Sequence, residues 1–541
     1  MMEIKVFTTL PDDAKEIRIK VFREEQGFID EFDELDETAI HLVMYDGKIP
    51  IATSRTYESD VSGTYIVGRV AVIKEMRGKH IGAKLIAETE RVIAERGGKV
   101  VTLHSQCHAE EFYLKLGYTE YGEIEYEEDC PHIWMKKELK TGDIKMQEKF
   151  NIVHFERRTG EGLSSVKEYG IDAAKKVNDF HRSFPEYCVT PLRSLDNLAK
   201  KLGLKKVFVK DESYRFGLNA FKVLGGSYAI GNYIAEKLGM DISELPCEKM
   251  TSEEIKARLG DVTFVTATDG NHGRGVAWTA NRLGQKSVVF MPKGTAAERL
   301  ENIKKLGSDA SIKDLFYDDC VRLARECSEK YGWVVVQDTS WDGYEDVPEH
   351  IMQGYTTMAY EALQQLDGEK PTHVFLQAGV GSMAGAICGF FADLYGDEER
   401  PVITIIEPNA ADCIYQTAKA NDGELHAAKG DMHSMMAGLC CGEPCKLAWD
   451  IFKDHADNFV AMPEYVSALG MRTLGRPLGD DKKIISGESG ASTMGFVIEV
   501  MQNDELADIR KTIGLDENSV VLCISTEGDT DKENYKKILS E

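Results

Sequence analysis

One lysine and two glycine-rich loops carry the residues of this sequence that are best suited to chemistry. Lys222 follows the stretch Asn-Ala-Phe and precedes the pair Gly225-Gly226. A lysine amine can form a Schiff base with an aldehyde, and a partly apolar setting suits it as a base. A single lysine beside two glycines is weak evidence, because most lysines are surface charges. The assignment therefore depends on what the sequence places around it.

Each of the two loops directly follows an apolar stretch that predicts a buried strand. The first loop, Thr-Ala-Thr-Asp-Gly-Asn-His-Gly-Arg-Gly, spans 266–275, and the second, Gln-Ala-Gly-Val-Gly-Ser-Met-Ala-Gly, spans 377–385. In the second loop, Gly379 and Gly381 open the backbone, Ser382 adds a hydroxyl, and the next helix points its N-terminus at an anion. This loop therefore predicts a phosphate site.

The elements around these loops alternate in type from residue 148 to residue 541. Short apolar runs are separated by long helical patterns, and the runs are 206–209, 263–266, 287–290, 333–337, 373–377, 402–407 and 520–525. Buried parallel strands joined by crossover helices have this pattern. Residues 1–139 predict a smaller α/β domain, and the polar stretch 140–147 predicts a linker.

Length, charge and cysteine content limit the class of protein. A chain of 541 residues is too long for one core, so two or three domains are expected. The net charge of −26 disfavours nucleic acid and anionic membranes as partners. No long apolar run or signal-peptide pattern appears, which predicts a cytoplasmic protein. The twelve cysteines are scattered and match no zinc pattern, so no metal is expected.

A second candidate site lies in the first 139 residues, where a predicted strand leads into a basic loop and then a helix. The loop carries Arg77 and Lys79, and Gly82 lies at the start of the helix. Backbone N–H groups at a helix N-terminus suit a pyrophosphate, and glycine lets the backbone approach it closely. The loop therefore predicts a site for a pyrophosphate group.

These residues, with the stretch Glu-Phe-Tyr-Leu-Lys-Leu-Gly-Tyr at 111–118, resemble the GNAT family of N-acetyltransferases. The resemblance implies acetyl-CoA as cofactor, with Arg77 and Gly82 at its pyrophosphate and Tyr113 as general acid for the departing thiolate. The loop departs from the family at His80, where glycine is usual. A purely structural domain is the alternative, and the acceptor of the acetyl group is left open.

The lysine, the Gly-Asn-His loop and the phosphate loop, in this order, resemble the fold-type-II pyridoxal-phosphate (PLP) enzymes, the tryptophan synthase β family. The resemblance implies two open α/β subdomains with parallel sheets, and a homodimer. It also implies that Lys222 binds PLP covalently and that Asn271 bonds the phenolic oxygen. The neutral hydroxyl of Thr526, with Ser525 as the alternative, would meet the pyridine nitrogen, which favours elimination. The phosphate would be bound by Gly379, Val380, Gly381, Ser382 and Met383.

Two acidic residues indicate the substrate. Asp269 stands in the Gly-Asn-His loop where related dehydratases have a small uncharged residue, and Asp338 follows the predicted strand 333–337. A buried carboxylate is costly unless it meets a cation, and a substrate ammonium group would supply one. With the stretch Ser-Gly-Glu-Ser-Gly-Ala at 486–491, these features resemble the diaminopropionate ammonia-lyase family.

That resemblance implies conversion of 2,3-diaminopropionate and water to pyruvate and two ammonia. Lys222 would take the Cα proton of the L-isomer, Asp269 that of the D-isomer from the opposite face, and Asp338 would position the substrate amine. The alternative is a serine or threonine dehydratase, or a β-replacing synthase, on the same fold. Asp269 argues against a hydroxyl leaving group, because that group offers no cation. No role is assigned to Glu488.

Overall fold

The computed structural model describes residues 2–29, 31–47, 49–61, 63–79, 81–122, 124–127, 130–139, 150–268, 270–295, 297–315, 317–341, 343–429, 432 and 434–540. The chain forms two compact units, Met1–Glu148 and Lys149–Glu541. The predicted linker 140–147, Asp269 and His80 lie outside the described residues.

The first unit is a mixed sheet with helices packed on it. Its strands are β1 (Met2–Phe7), β2 (Ile40–Asp46), β3 (Ile49–Glu58), β4 (Thr64–Val72), β5 (Val100–Gln106), β6 (Thr119–Glu120), β7 (Glu125–Glu127) and β8 (Cys130–Glu138). Its α-helices are α1 (Asp12–Arg18), α2 (Ile81–Glu95) and α3 (Glu110–Lys115). The strand order is β1-β2-β3-β4-β5-β8-β6, with β7 paired to β8.

The central pair of this sheet opens partway along its length. Strands β4 and β5 are parallel and pair only from Thr64–Val67 to Val100–Leu103, although each continues for several residues. The other pairs are antiparallel. Beyond Val67 and Leu103 the two strands have separated, so their backbone N–H and C=O groups on the facing edges must bond partners other than the neighbouring strand.

The second unit contains eleven strands among its described residues. They are β9 (Asn151–His154), β10 (Leu192–Ser194), β11 (Lys206–Asp211), β12 (Thr263–Ala267), β13 (Lys286–Met291), β14 (Asp309–Ile312), β15 (Val334–Val335), β16 (His373–Gln377), β17 (Val402–Pro408), β18 (Asn458–Met462) and β19 (Val520–Ser525).

The helices of the second unit cover its sheets and supply the turns of the site. They are α4 (Ile171–Arg182), α5 (Asp196–Leu202), α6 (Val223–Leu238), α7 (Cys247–Met250), α8 (Glu253–Leu259), α9 (Asn271–Arg282), α10 (Ala297–Lys304), α11 (Tyr317–Tyr331), α12 (Asp346–Gln365), α13 (Ser382–Glu399), α14 (Cys413–Ala420), α15 (Lys446–His455), α16 (Glu464–Gly475), α17 (Glu488–Gln502), α18 (Ala507–Ile513) and α19 (Lys532–Ser540).

The strands of this unit form two sheets with parallel centres. The larger has the order β10-β11-β19-β16-β17-β18-β9, and the smaller has the order β14-β13-β12-β15. Only the edge strands β10 and β9 run antiparallel to their neighbours. All residues of β16 and β19 are buried, as expected of parallel strands covered on both faces by helices. The predicted pair of open α/β subdomains is confirmed.

One predicted strand is much shorter than expected. The run 333–337 pairs with its sheet only at Val334–Val335. The backbone N–H of Gln337 donates to the hydroxyl of Tyr344 at 2.9 Å, so the chain has already left the sheet there. This early departure turns the next residue, Asp338, toward the cavity described below. Within the described part of the chain, no helix is both long and apolar enough to cross a membrane.

Candidate active site

A cavity of about 240 Å³ lies in the second unit, where the chain leaves the carboxyl ends of β12, β16 and β19. Open parallel sheets present their loops at these ends, so residues far apart in sequence meet there. Nine predicted site residues line this cavity, namely Lys222, Asn271, Asp338, Gly379, Val380, Gly381, Ser382, Met383 and Thr526. The structure thus brings together the predicted residues of the second unit that it describes.

Lys222 stands immediately before α6 and forms an ion pair with Asp338. Burial alone would lower the pKa of Lys222, but the attraction of Asp338 raises it above its usual value. Burial alone would raise the pKa of Asp338, but Lys222 and His272 hold it well below its usual range. The pair is therefore charged at neutral pH, and the carboxylate is ready to stabilise a cation at this point.

His272 supports this pair from the start of α9. Its Nδ1 lies 3.8 Å from Oδ2 of Asp338, and its Nε2 is 2.8 Å from the backbone oxygen of Val336. The ring therefore bridges the first glycine-rich loop to the segment that carries Asp338. His272 therefore acts as a structural support of the Lys222–Asp338 pair.

The second loop has the shape that a phosphate requires. Gly381 has a φ of +101°, and a Cβ added to it would lie 3.0 Å from side-chain atoms of Ile414 and Phe452. A Cβ on Gly379 would lie 2.9 Å from Sγ of Cys441. Only glycine fits this backbone, which ends at the N-terminus of the eighteen-residue α13. Exposed N–H groups at such an end suit an anion.

Asn271 and Thr526 face the same cavity from opposite loops. The Asn271 amide donates to Oε2 of Glu527 at 2.7 Å. The Thr526 hydroxyl accepts a hydrogen bond of 3.0 Å from the amide of Gln377. Because Thr526 accepts this bond, its own hydroxyl hydrogen remains available for donation to another acceptor, such as a pyridine nitrogen. The donor set therefore fits PLP at its phosphate, phenolic and pyridine positions.

The first unit has a larger cavity, of about 1130 Å³. It is lined by residues of β4 and β5 beyond the point where these strands separate, and also by Arg77, Gly82 and Tyr113. The Arg77 guanidinium donates to both oxygens of Glu25, at 2.5 and 2.8 Å. Burial raises the pKa of Tyr113 well above its usual value, so its hydroxyl keeps its proton at neutral pH.

Comparisons with known proteins find relatives of both units of the chain. A pyridoxal-phosphate dependent enzyme family matches residues 184–523, and an acetyltransferase (GNAT) domain matches residues 12–139. Diaminopropionate ammonia-lyase of Salmonella typhimurium is 48% identical over 386 residues, which cover 69% of this chain and 95% of the relative. The enzyme of Escherichia coli K12 is also 48% identical, over 68% of this chain and 91% of its own length.

The chain belongs to the diaminopropionate ammonia-lyase family. A crystal structure of the Escherichia coli enzyme in complex with D-serine has a TM-score of 0.67 and 44% identity, and covers 72% of this chain and 97% of that one. Another crystal structure of that enzyme contains an aminoacrylate-PLP azomethine reaction intermediate. The predicted family is therefore confirmed, as is the GNAT domain at the N-terminus.

Two features of this ammonia-lyase family member were missed by sequence reasoning. Glu527 lines the cavity beside Thr526 and holds Asn271, although nothing marked it except its position after β19. A buried network of Lys210, Arg215 and Glu361 anchors the loop that leads to Lys222. Lys210 lies in β11, Arg215 in the turn after it and Glu361 in α12, and a charge buried in such elements is itself a signal that a partner exists.

Proposed function

We propose that the chain is a PLP-dependent lyase that converts 2,3-diaminopropionate and water to pyruvate and two ammonia. The observation that carries this proposal is the cavity in which Lys222 pairs with Asp338 in front of a phosphate-binding loop. The match to diaminopropionate ammonia-lyases over nearly their full length supports the choice of substrate.

The residues that would hold the cofactor follow from the donors around the cavity. Lys222 would bind it covalently, Asn271 would donate to its phenolic oxygen and Thr526 to its ring nitrogen. The loop from Gly379 to Met383 would bind its phosphate. Bound PLP supplies a conjugated ring that spreads the negative charge developing at the substrate Cα.

Lys222 would transfer the proton in the elimination, and Asp338 would stabilise the charge that this creates. The amine of Lys222 takes the proton from the substrate Cα, and the carboxylate of Asp338 stabilises the ammonium group that results. The β-ammonium group can then leave directly as neutral ammonia, with the electron pair of its C–N bond and without a further proton. Because Thr526 is uncharged, it does not stabilise a protonated ring nitrogen, and this favours loss of the β-substituent over transamination.

Asp269 would take the Cα proton of the D-isomer from the face opposite Lys222. This role comes from the resemblance of the loop 266–275 to its family. We expect Asp269→Asn to lose activity with D-diaminopropionate while it retains activity with the L-isomer. Equal losses with both isomers would argue that Asp269 only positions the loop.

The decisive experiment measures pyruvate and ammonia release from L- and D-diaminopropionate, serine and threonine. We expect two ammonia per pyruvate from diaminopropionate and little product from the hydroxyamino acids. A preference for serine would instead favour the dehydratase alternative. Lys222→Ala should lose both the visible absorbance of the cofactor and the activity, whereas an unchanged spectrum would contradict the role of Lys222.

We further propose that the N-terminal unit binds acetyl-CoA in its 1130 Å³ cavity and transfers the acetyl group to an amine. Arg77 and Gly82 would contact the pyrophosphate, and Tyr113 would protonate the departing thiolate. Calorimetric titration of the full chain with acetyl-CoA tests this. Arg77→Ala should weaken binding, whereas Arg91→Ala, on the same unit but outside the cavity lining, should not. No binding by the unaltered chain would favour a structural domain.

The resemblance to fold-type-II enzymes also supports a homodimer. Light scattering on the purified chain should give twice the mass of one subunit. A particle of one subunit's mass at working concentration would contradict this proposal.

A further inference from the structure

Glu527 occupies a site that the elimination scheme does not use. It follows β19, is 7% exposed and lines the active-site cavity. Its Oε2 accepts hydrogen bonds from Asn271 at 2.7 Å and Thr530 at 3.2 Å, and its Oε1 accepts one from the backbone N–H of Ser489 at 3.3 Å. A carboxylate has about four acceptor positions, so Oε1 retains room for a further donor.

The charge of Glu527 is incompletely compensated among the described residues, because Arg274, which also lines the cavity, attracts it without forming an ion pair with it. None of the ion pairs among the described residues involves Glu527, although a buried carboxylate normally has a cation close by. A second buried carboxylate, Glu488, lies on the same wall of the cavity. Burial raises the pKa of Glu488, and the repulsion of Glu527 raises it further. A cation bound at this wall would offset both the burial of the two carboxylates and the repulsion between them.

A third group at this wall points to a ligand independently of the two carboxylates. The hydroxyl oxygen of Ser489 is buried, with the residue 4% exposed, and has no hydrogen-bond partner among the described residues. Ser489 also lines the cavity. A buried hydroxyl without a partner is uncommon, because its desolvation is not repaid. A bound group that donates hydrogen bonds would satisfy Ser489 and Glu527 together.

The stretch 486–491 holds this wall in place. The backbone N–H of Gly487 donates to the backbone oxygen of Glu527 at 3.0 Å. A Cβ on Gly487 would lie 3.1 Å from Cγ of Glu527, and a Cβ on Gly490 would lie 3.0 Å from its backbone oxygen. On the other side, Glu527 forms a β-bridge with Ala220, two residues before Lys222. Backbone contacts therefore hold Glu527 between the loop that leads to Lys222 and the stretch 486–491.

We propose that Glu527, with the hydroxyl of Ser489, binds the ammonium group on the β-carbon of the substrate and so selects diamino acids over hydroxyamino acids. This inference rests on the proposed lyase function. It assigns the stretch 486–491, which the sequence marked without a role, to the support of this specificity site. Serine has a neutral hydroxyl in place of the ammonium group, so it gains nothing from the charge of Glu527.

The test is Glu527→Gln, because glutamine removes the charge, keeps one oxygen that can accept from Asn271, and replaces the other oxygen by an NH2 group of similar size. Hydrogen bonds to charged groups contribute roughly 1.5–3 kcal/mol, so KM for diaminopropionate should rise about tenfold to hundredfold. Serine, assayed as a competitive inhibitor of that reaction, should keep its inhibition constant within about threefold. The dissociation constant of PLP, from titration of the cofactor-free protein, should change as little.

Glu499→Gln is the matched control. Glu499 lies on α17, the helix that begins at Glu488, and bonds Tyr465 and Asn503 at 3.0 Å outside the cavity lining. We expect it to behave as the unaltered protein. Parallel weakening of diaminopropionate, serine and PLP in Glu527→Gln would overturn the inference and make Glu527 a positioning residue for Asn271. Unchanged values for all three would overturn it as well. If the unaltered protein released no pyruvate from diaminopropionate, the proposed lyase function would fail first.

Discussion

Replacing Gly381 by alanine tests whether the loop before α13 is the phosphate site. Gly381 has a φ of +101°, which costs an alanine roughly 1–3 kcal/mol. The new methyl group would lie 3.0 Å from atoms of Ile414 and Phe452, which adds roughly 1–3 kcal/mol of overpacking. Ile414 and Phe452 also pack against the loop, so displacing them would turn the backbone N–H groups of the loop away from a bound anion.

The sum of these costs is roughly 2–6 kcal/mol in the free energy of unfolding. For a unit of about 390 residues, this lowers the melting temperature of the cofactor-free protein by about 2–7 °C. Loss of one charge-assisted hydrogen bond to the phosphate should weaken PLP about tenfold to hundredfold. Differential scanning calorimetry measures the first quantity, and titration of cofactor absorbance measures the second.

Gly396→Ala separates backbone strain from damage to the loop. Gly396 lies near the end of the same helix with a φ of +72°, and a Cβ there would have no atom within 4 Å. We expect it to lower the melting temperature by about 1–4 °C and to leave PLP affinity unchanged. If Gly381→Ala bound PLP as tightly as the unaltered protein, the loop would not be the phosphate site. Equal loss of PLP in both variants would also refute the reasoning.

Three further predictions concern other buried groups. Burial alone would raise the pKa of Glu361, but Arg215 and Lys210 hold it at about 2. Glu361→Gln should therefore leave a buried cation unpaired and lower the free energy of unfolding by about 3–5 kcal/mol. The melting temperature should fall by about 4–6 °C. Burial raises the pKa of Cys523 to about 12, so it should resist alkylation in the native protein at neutral pH while the exposed Cys188 reacts rapidly, as mass spectrometry of labelled peptides will show. Tyr113→Phe should slow acetyl transfer without weakening acetyl-CoA binding in calorimetry; loss of binding would instead indicate a packing role for Tyr113.

The parts of the site that lie within one loop were predictable. Gly379 and Gly381 lie between a strand and a helix, and Ser382 begins that helix, so their geometry is a local property of the backbone. The two parallel sheets were also predictable, because strands buried on both faces have continuous apolar runs. The run 333–337 shows the limit of this reasoning: its apolar pattern continues past Val335, but the Tyr344 hydroxyl takes the backbone bond of Gln337.

Contacts between loops depended on how the sheets are arranged in space. The sequence by itself determined the family, and it predicted the cofactor lysine and the phosphate loop, because short stretches whose residue types have few other uses carry these features. Only the tertiary structure decided that Asp338 pairs with Lys222 and that Glu527 faces Asn271, which is 256 residues away in the chain. Spacing along a sequence does not limit such pairs, because the strands that precede the two partners lie in two different sheets, and the loops after these strands line one cavity.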